Sequence, residues 1–423
     1  MRNKATLKLL MHILILLVLL GGTVYSTPVQ SEENTANLPS DKNPDIKAAS
    51  AILMDTERGQ VLYKKDSNTK LHISSVCKLM TVLLAVETGD LSPSVTISAD
   101  SVDAEGSALG LQAGMKYVLN ELLYGIMLTS GNDAAEAVAE YIGGDVDNFV
   151  VKMNETAAKL NMTNTHFTNP TGLFSQEQYT TAYDVSLLIK YAITKPAFNE
   201  IFSAQARPWE YENGDVKILT SQNKLFWSYD GIEGGKTGYI KKEQQTLAAT
   251  AVRGNMNLIC VILDAPENDL FDNATTLLDY GFINFRKSIL AHKGDPLKSI
   301  TVEGKNINLI SQEDVSYIHP TGESYIKKFR ADIDLQAPFK KSTLAGMAEY
   351  ILNDGTQISI NLYPETEIVS PVGFFLSAKN KILENKNILY LVLFLLFIEV
   401  IIIIVNIIKL FRKAASKLFS DKK

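Results

Sequence analysis

The chain has 423 residues, of which 46% are hydrophobic and 21% are charged, so it can hold more than one domain and its composition excludes a disordered chain. Its formal net charge of -6 argues against a nucleic-acid-binding protein, which would carry a basic surface. With only two cysteines, Cys77 and Cys260, a disulfide-rich framework is excluded, and we expect both thiols to be free.

The N-terminal residues predict an export signal followed by a flexible linker. Basic residues precede an apolar run at 9–20, and small residues follow up to Ser26, which is the order of parts in a secretory signal. The apolar run is short for a membrane span of about 20 residues, so we expect a signal peptide at 1–26 that is cleaved near Ser26. Residues 27–47 are rich in Ser, Glu, Asn, Pro and Asp and predict a flexible linker.

A serine and a lysine at the head of a helix form the first site of interest. Residues 51–55 and 60–63 predict a β-hairpin, after which an apolar helical pattern runs from Ser75 to Val86. Lys78 lies one helical turn after Ser75, so the pair offers a nucleophile beside a base on a buried support. The same Ser-x-x-Lys spacing occurs without such a helix at four other places: Ser67 to Lys70, Ser221 to Lys224, Ser324 to Lys327 and Ser420 to Lys423.

An interruption between two helical patterns forms the second site. Residues 118–128 and 134–142 carry the apolar periodicity of helices. The short loop between them presents Ser130 and Asn132. The alternative interpretation is a plain helix break in which Asp133 is the N-cap of the second helix.

Lys236, Thr237 and Gly238 form the third site. Two apolar runs follow, 246–252 and 257–263, and the turn between them predicts a β-hairpin. The three residues would then lie on a strand beside that hairpin, where Gly238, which has no side chain, would let a substrate backbone approach and pair with the strand. The alternative is an ordinary strand start with a solvated lysine.

The rest of the exported chain alternates between loops, helices and short strands. Residues 166–173 have the composition of a loop, whereas 184–193 and 271–285 predict amphipathic helices. A change to short strands with frequent turns predicts a separate small β-domain at 295–370, for which spacing or docking is the simplest role. Its strand-like pieces are 299–302, 307–310, 315–318, 329–335, 348–352 and 358–362.

The C-terminal residues predict a membrane anchor. Residues 388–408 are almost wholly apolar and long enough to cross a bilayer. The basic tail at 409–423 places the C-terminus in the cytoplasm, so we expect a single-pass protein of the cell membrane with its catalytic domain on the extracytoplasmic face. Glu399 interrupts the span, and it either binds a partner transmembrane helix or is a protonated or hydrated passenger.

The three sites together carry a resemblance to a known family. A Ser-x-x-Lys, a Ser-Gly-Asn and a Lys-Thr-Gly in this order resemble the motifs of penicillin-binding proteins and class A β-lactamases. The chain resembles the D-alanyl-D-alanine carboxypeptidase family of serine peptidases, the low-molecular-mass penicillin-binding proteins. The resemblance implies an α/β fold of the α+β type. An antiparallel sheet and a helical subdomain would occupy residues 48–287, and the small β-domain would follow them. The segments that carry it are 51–85, 122–139, 167–188, 231–263 and, in the β-domain, 332–339.

The resemblance implies a role for each catalytic side chain. Ser75 is the nucleophile that attacks the peptide bond between two terminal D-alanines. Lys78 is the base, which requires a pKa lowered by burial and by the nearby charge of Lys236. Ser130 relays a proton to the leaving D-alanine, and Asn132 orients the lysine and the substrate amide.

The resemblance also implies how the substrate is held. Lys236 and Thr237 bind its terminal carboxylate, and the backbone N–H groups of Ser75 and Tyr239 form an oxyanion hole worth roughly 10² to 10³ in rate. The expected partners are a peptidoglycan stem peptide that ends in D-Ala-D-Ala and β-lactam antibiotics as covalent inhibitors. No cofactor, metal ion or nucleic acid is expected.

Four features depart from the family's usual pattern. Ile73 replaces a common proline, Cys77 a common threonine and Gln178 a common histidine, and residues 240–245 lack a small Ala-Gly pair. Every proposed catalytic side chain is nevertheless in place.

The sequence leaves several alternatives open. A class A β-lactamase would carry a glutamate in a Glu-x-x-Leu-Asn element, but Ala157 stands at that position before Leu160 and Asn161. A transpeptidase that uses an amine acceptor and a catalytically silent wall-binding scaffold would both share the fold. A zinc peptidase is disfavoured because the histidines are scattered, and a Ser-His-Asp hydrolase because the chain lacks a Gly-x-Ser-x-Gly elbow.

Overall fold

The computed structural model describes residues 43–210, 214–241, 244–322, 324–369 and 386–420. The predicted signal peptide at 1–26 and residues 27–42 of the predicted linker lie outside the described residues, as do positions 242 and 243 of the 240–245 segment.

The described chain begins with strands and ends with a long helix. Its strands, in chain order, are β1 (Ser50–Asp55), β2 (Val61–Lys65), β3 (Ser94–Thr96), β4 (Lys116–Val118), β5 (Ala206–Glu210), β6 (Val216–Thr220), β7 (Ile232–Lys241), β8 (Gln244–Arg253), β9 (Met256–Ala265), β10 (Phe285–Ala291), β11 (Pro296–Val302), β12 (Lys305–Ile310), β13 (Val315–Pro320), β14 (Ile326–Ile333), β15 (Gly346–Leu352) and β16 (Gln357–Pro364). Its α-helices are α1 (Lys78–Val86), α2 (Ala99–Val102), α3 (Leu119–Thr129), α4 (Asn132–Gly143), α5 (Val146–Lys159), α6 (Ala182–Ala192), α7 (Pro196–Phe202), α8 (Leu225–Ser228), α9 (Leu270–Asn284) and α10 (Lys386–Ser420).

A five-stranded antiparallel sheet separates two hydrophobic cores. Its strand order is β2-β1-β9-β8-β7, so β7 is an edge strand. Successive side chains of a strand point to opposite faces, and β1 follows this rule: Ile52 and Met54 join the core with the helical subdomain. Ala51 and Leu53 join the core beneath α9.

The helical subdomain packs on the first of these faces. Helices α1, α3, α4 and α5 supply most of its buried apolar side chains, and α6 and α7 close the core against the sheet. Helix α1 lies in the middle, with every residue from Lys78 to Ala85 buried. A lysine at the start of a wholly buried helix is therefore fixed in place before any substrate arrives.

The C-terminal domain is built from β-strands. Strands β11-β12-β16-β15-β14 form one sheet, and β10 pairs with β13. Hydrogen bonds between the Gln60 side chain and the backbone of Ile318, at 2.6 and 3.2 Å, join this domain to the catalytic sheet. The predicted end of the catalytic domain at residue 287 falls within β10.

The structure confirms most of the predicted elements. The hairpin at 51–63, the interrupted helices around 130, the hairpin at 246–263 and the strand that carries Lys236 are all present. The antiparallel sheet, the helical subdomain and the small β-domain are likewise confirmed. Both cysteines are buried free thiols, as expected.

The side chains of α10 are described only at 390, 391 and 393–409. Within the described part of the chain, no helix has both the length and the apolar character that crossing a membrane requires. The membrane span at 388–408 and the partner helix at Glu399 therefore stay predictions.

Candidate active site

The segment around Ser75 differs from the predicted α-helix. Ser74–Cys77 forms a 3-10 turn, and α1 begins at Lys78. Ser74 has a φ of 49°, in the left-handed region that few residues other than glycine adopt. Its buried hydroxyl shares a hydrogen bond of 2.8 Å with the hydroxyl of Thr246 on β8, so the sheet holds the turn in this conformation and sets the direction of Ser75.

Lys78 stands beside Ser75 and is fully buried. Its Nζ donates hydrogen bonds to Ser75 Oγ at 3.4 Å and to the carbonyl of Thr171 at 2.5 Å. Burial lowers the pKa of Lys78 to about 8, an effect that the nearby Glu136 carboxyl partly opposes. A much larger fraction of this amine than of an ordinary lysine is therefore neutral near physiological pH, as a general base would require.

Ser130 and Asn132 flank the loop that was predicted between two helices. Ser130 has a φ of 64° at the end of α3, and its hydroxyl accepts a hydrogen bond of 3.2 Å from Lys236 Nζ. Asn132 lines the cleft, and its amide nitrogen donates to the carbonyl of Glu105.

The alternative interpretation of Asp133 as an N-cap is wrong. Gly131 is the N-cap of α4, and the buried Asp133 carboxylate instead accepts hydrogen bonds of 2.9 to 3.1 Å from the backbone N–H groups of residues 109–111. Asp133 therefore holds the segment that precedes α3 against the start of α4, beside the Ser130 loop.

Lys236 is buried, so the alternative of a solvated lysine is also wrong. Its exposed fraction is 1%, and its Nζ donates to Ser130 Oγ and, at 2.8 Å, to the carbonyl of Thr237. Burial, together with the charge of Lys78, lowers the pKa of Lys236 well below its ordinary value. The neighbouring Thr237 hydroxyl donates to Gln222 Oε1 at 3.4 Å.

Gly238 has a packing role beside the predicted one. A Cβ at this position would lie 2.1 Å from Ser74 Oγ and 2.2 Å from Thr246 Oγ1. The missing side chain thus makes room for the turn that carries Ser75. Gly238 also lines the cleft, so the approach of a substrate backbone to this strand stays a prediction.

The predicted residues surround one cleft of about 470 Å³. Lys78 and Lys236 lie buried behind its wall, and the Tyr239 side chain, 60% exposed, stands at its rim. The charged side chains of Lys224 and Glu267 also line the cleft. The predicted residues that line it directly are Ser75, Ser130, Asn132, Thr237, Gly238 and Tyr239.

The sequence did not identify the contacts of the 168–173 segment with Lys78. Thr171 contributes a backbone carbonyl, which leaves no signature of residue type. The buried Gln178 was noted only as a departure from a family pattern, although its side chain hydrogen-bonds to this segment. The combination Asn169-Pro170-Thr171-Gly172 is a turn signal and could have indicated a fixed loop.

The structure also bears on two alternatives. Ala157, at the position of the β-lactamase glutamate, is buried in the helical core and does not line the cleft. Among the described residues, His, Cys, Asp and Glu side chains form no group of three that could hold a metal ion.

Comparisons with known proteins agree with this geometry. A family model described as D-alanyl-D-alanine carboxypeptidase matches residues 36–267, and one described as the C-terminal domain of penicillin-binding protein 5 matches residues 285–370. The chain is 32% identical over 341 residues to the D-alanyl-D-alanine carboxypeptidase DacF of Bacillus subtilis. The matched region covers 78% of this chain and 87% of that protein.

Solved structures show the same likeness. Penicillin-binding protein 5 from Haemophilus influenzae superimposes with a TM-score of 0.68 at 28% identity, covering 78% of this chain and 99% of that one. The D-alanyl-D-alanine carboxypeptidase from Mycobacterium tuberculosis gives a TM-score of 0.55 at 33% identity, covering 58% of this chain and 96% of that one.

Proposed function

Because the chain belongs to the D-alanyl-D-alanine carboxypeptidase family of serine peptidases, whose members bind penicillin, we propose that Ser75 is its nucleophile and Lys78 its general base. The observation that carries this assignment is the position of the buried Lys78 amine, 3.4 Å from Ser75 Oγ. The enzyme removes the terminal D-alanine of a peptidoglycan stem peptide through an acyl-enzyme.

The acylation step follows from this arrangement. Neutral Lys78 takes the hydroxyl proton of Ser75 while Oγ bonds to the carbonyl carbon of the penultimate D-alanine. The developing oxyanion accepts hydrogen bonds from the backbone N–H groups of Ser75 and Tyr239, an oxyanion hole worth about 10² to 10³ in rate. The bond to the leaving D-alanine nitrogen then breaks as Ser130 gives that nitrogen its hydroxyl proton and takes the proton held by Lys78, so Lys78 is neutral again when water hydrolyses the ester.

Substrate recognition rests on the edge strand β7. Its outer edge has no partner among the described strands, so an extended peptide can pair with it. Lys236 and the Thr237 hydroxyl would bind the terminal carboxylate, which restricts the enzyme to free C-terminal ends. Asn132 would meet the substrate amide from the opposite wall of the cleft.

Labelling with a fluorescent penicillin tests the assignment of the nucleophile. We expect the label on Ser75 by peptide mass and slow hydrolysis of the penicilloyl ester, because Ala157 replaces the glutamate that β-lactamases use. Ser75→Ala should abolish labelling and D-alanine release, whereas Ser107→Ala, a change in another serine that lines the cleft, should leave the label in place. A label on any other residue, or rapid penicillin turnover, would overturn the assignment.

Residues 388–408 would tether the catalytic domain to the extracytoplasmic face of the cell membrane. The support is the apolar run, the basic tail behind it and the export signal predicted before it. A chain that ends at residue 387 should be secreted in soluble form while the full chain sediments with membranes; equal distribution would contradict the anchor. If Glu399 contacts another transmembrane helix, Glu399→Leu should reduce the association of the protein with a second copy or with a partner. Unchanged association would contradict that contact.

A further inference from the structure

Three successive backbone carbonyls face donors from the start of α1. Cys77 Sγ donates to the carbonyl of Asn169 at 3.3 Å, and Thr81 Oγ1 donates to that of Pro170 at 2.7 Å. The carbonyl of Thr171 accepts the hydrogen bond from Lys78 Nζ at 2.5 Å. The nucleophile's helix and the 169–171 segment are therefore joined at three adjacent points, of which the last is the catalytic amine.

The side chain of Asn169 shapes this segment from within. Its Oδ1 accepts hydrogen bonds from the backbone N–H groups of Thr171 at 3.2 Å and Gly172 at 2.8 Å, and from the Thr171 hydroxyl at 3.0 Å. Gly172 has a φ of 84° and passes so close to the nucleophile turn that a Cβ there would lie 1.9 Å from the carbonyl oxygen of Ser74. The segment has little freedom to move without moving Ser74.

Gln178 holds the whole segment. Its exposed fraction is 2%, its Oε1 accepts from the backbone N–H groups of Thr168 at 2.8 Å and Asn169 at 3.0 Å, and its Nε2 donates to Asn169 Oδ1 at 3.2 Å and to the carbonyl of Leu173 at 3.0 Å. A glutamine amide offers two acceptor positions and two donor hydrogens. All of them are used on residues that surround Thr171.

We propose that Gln178 is a positioning residue for the acylation step, acting through the Thr171 carbonyl on Lys78. This inference rests on the proposed function of Ser75 and Lys78. When neutral Lys78 donates one N–H to Thr171, its lone pair is free to face the Ser75 hydroxyl, whose proton it takes as the new ester bond forms. Gln178 exchanges no proton and touches no substrate. It sets where the carbonyl stands, and the carbonyl sets the direction of the amine.

The energetic reason lies in the short range of proton transfer. A misplacement of catalytic groups by about 1 Å can lower a rate by about 10²-fold. The 169–173 segment lies outside regular helices and strands, so its own backbone ladder does not hold the Thr171 carbonyl in place. Buried side chains must do this, and Gln178 supplies more hydrogen bonds to the segment than the N–H and C=O groups of one strand residue would.

The variant Gln178→Met tests this role because it keeps the length of the side chain and removes its hydrogen bonds. Stopped-flow acylation by a fluorescent penicillin at several concentrations gives the maximal acylation rate and the dissociation constant of the non-covalent complex. We expect the maximal rate to fall by about 10²-fold. The dissociation constant should stay within about twofold, because Lys236 and Thr237 keep their positions.

The matched control is Gln60→Met. Gln60 also uses both ends of its amide, on the backbone of Ile318, but it lies away from the cleft. The Gln60→Met variant should have a lower unfolding temperature and an unchanged maximal acylation rate. The proposal is overturned if Gln178→Met acylates at the parental rate. It is also overturned if the acylation rate of Gln178→Met falls only as much as that of Gln60→Met, or only in proportion to the folded fraction.

A second pair of variants keeps the test open if Gln178→Met does not fold. Cys77→Ala removes the thiol donor to the Asn169 carbonyl, whereas Cys77→Ser keeps a donor. We expect slower acylation for the alanine variant and recovery for the serine variant; equal rates in both would overturn the proposal. These rates are compared only in enzyme that labels at Ser75, so an absent label would refute the proposed function and not the role of Gln178.

Discussion

A methyl group at position 238 would collide with two hydroxyl oxygens that already share a hydrogen bond. Gly238→Ala would place Cβ 2.1 Å from Ser74 Oγ and 2.2 Å from Thr246 Oγ1, and those oxygens lie 2.8 Å apart in a buried site. Since the backbone of β7 is held by its pairing with β8, the hydroxyl of Ser74 has to move. Ser75, the proposed nucleophile, is the next residue and moves with it.

We expect Gly238→Ala to lower both the stability of the fold and the rate of acylation. Overpacking of a close-packed interior costs typically 1–3 kcal/mol, and a change of about 2 kcal/mol corresponds to a fall of roughly 4–8 °C in the unfolding temperature for a domain of this size. Displacing Ser75 by about 1 Å should in addition slow acylation by about 10²-fold.

Penicillin acylation and thermal unfolding measured on the same preparation separate the two effects. Gly234→Ala is the matched control, because its Cβ would meet the ring of buried Phe202 at 2.2 Å, on the same strand but against the core. It should lose stability and keep the acylation rate of its folded fraction. If Gly238→Ala keeps its stability and only weakens substrate binding, the glycine serves substrate approach after all and the packing argument is refuted.

Three further results follow from the burial of charged and polar groups. Because burial lowers the pKa of Lys78 to about 8 and the neutral amine is the proposed active form, acylation should rise with pH, reach half of its maximum near pH 8 and level off above that; a rate that falls over this range would contradict Lys78 as base. Burial raises the pKa of Cys77 and of Cys260 to about 12, so iodoacetamide at about pH 8 should modify both thiols in urea and neither in the folded enzyme, as peptide mass would show; reaction of the folded enzyme would refute this. Asp133→Ala should lower the free energy of unfolding in urea by about 3 kcal/mol, because it removes the acceptor of three N–H groups at 109–111, two of them buried and one partly buried, and an unchanged midpoint would contradict that role.

The sequence could identify side chains that the structure places around one cleft, because each lies in a local pattern. Ser75 and Lys78 head an apolar helix, Ser130 interrupts two helices, and Lys236 precedes a hairpin. Such patterns depend on residues a few positions apart, which periodicity and turn residues record. The roles came from the resemblance, and the structure then brought these side chains to one cleft.

The contacts that hold the site could not be predicted in the same way. The hydroxyls of Ser74 and Thr246 are 172 positions apart in the chain, and Lys78 and the Thr171 carbonyl are 93 apart. A backbone carbonyl has no residue type, and a glycine reveals that space is needed but not what occupies it. The packing role of Gly238 was therefore not predicted, although the residue itself was identified.

The placement of the two lysines gives a physical reason for a preference for free C-terminal ends. In the described structure, the hydrogen bonds of Lys78 and Lys236 go to neutral oxygens of hydroxyls and carbonyls, and burial lowers both pKa values. Two buried ammonium groups near each other disfavour one another's charge. A substrate carboxylate beside Lys236 would supply the missing negative charge and favour the charged form of that lysine. The positive charge at Lys236 would in turn keep Lys78 neutral, so that binding of the carboxylate prepares the base for its reaction.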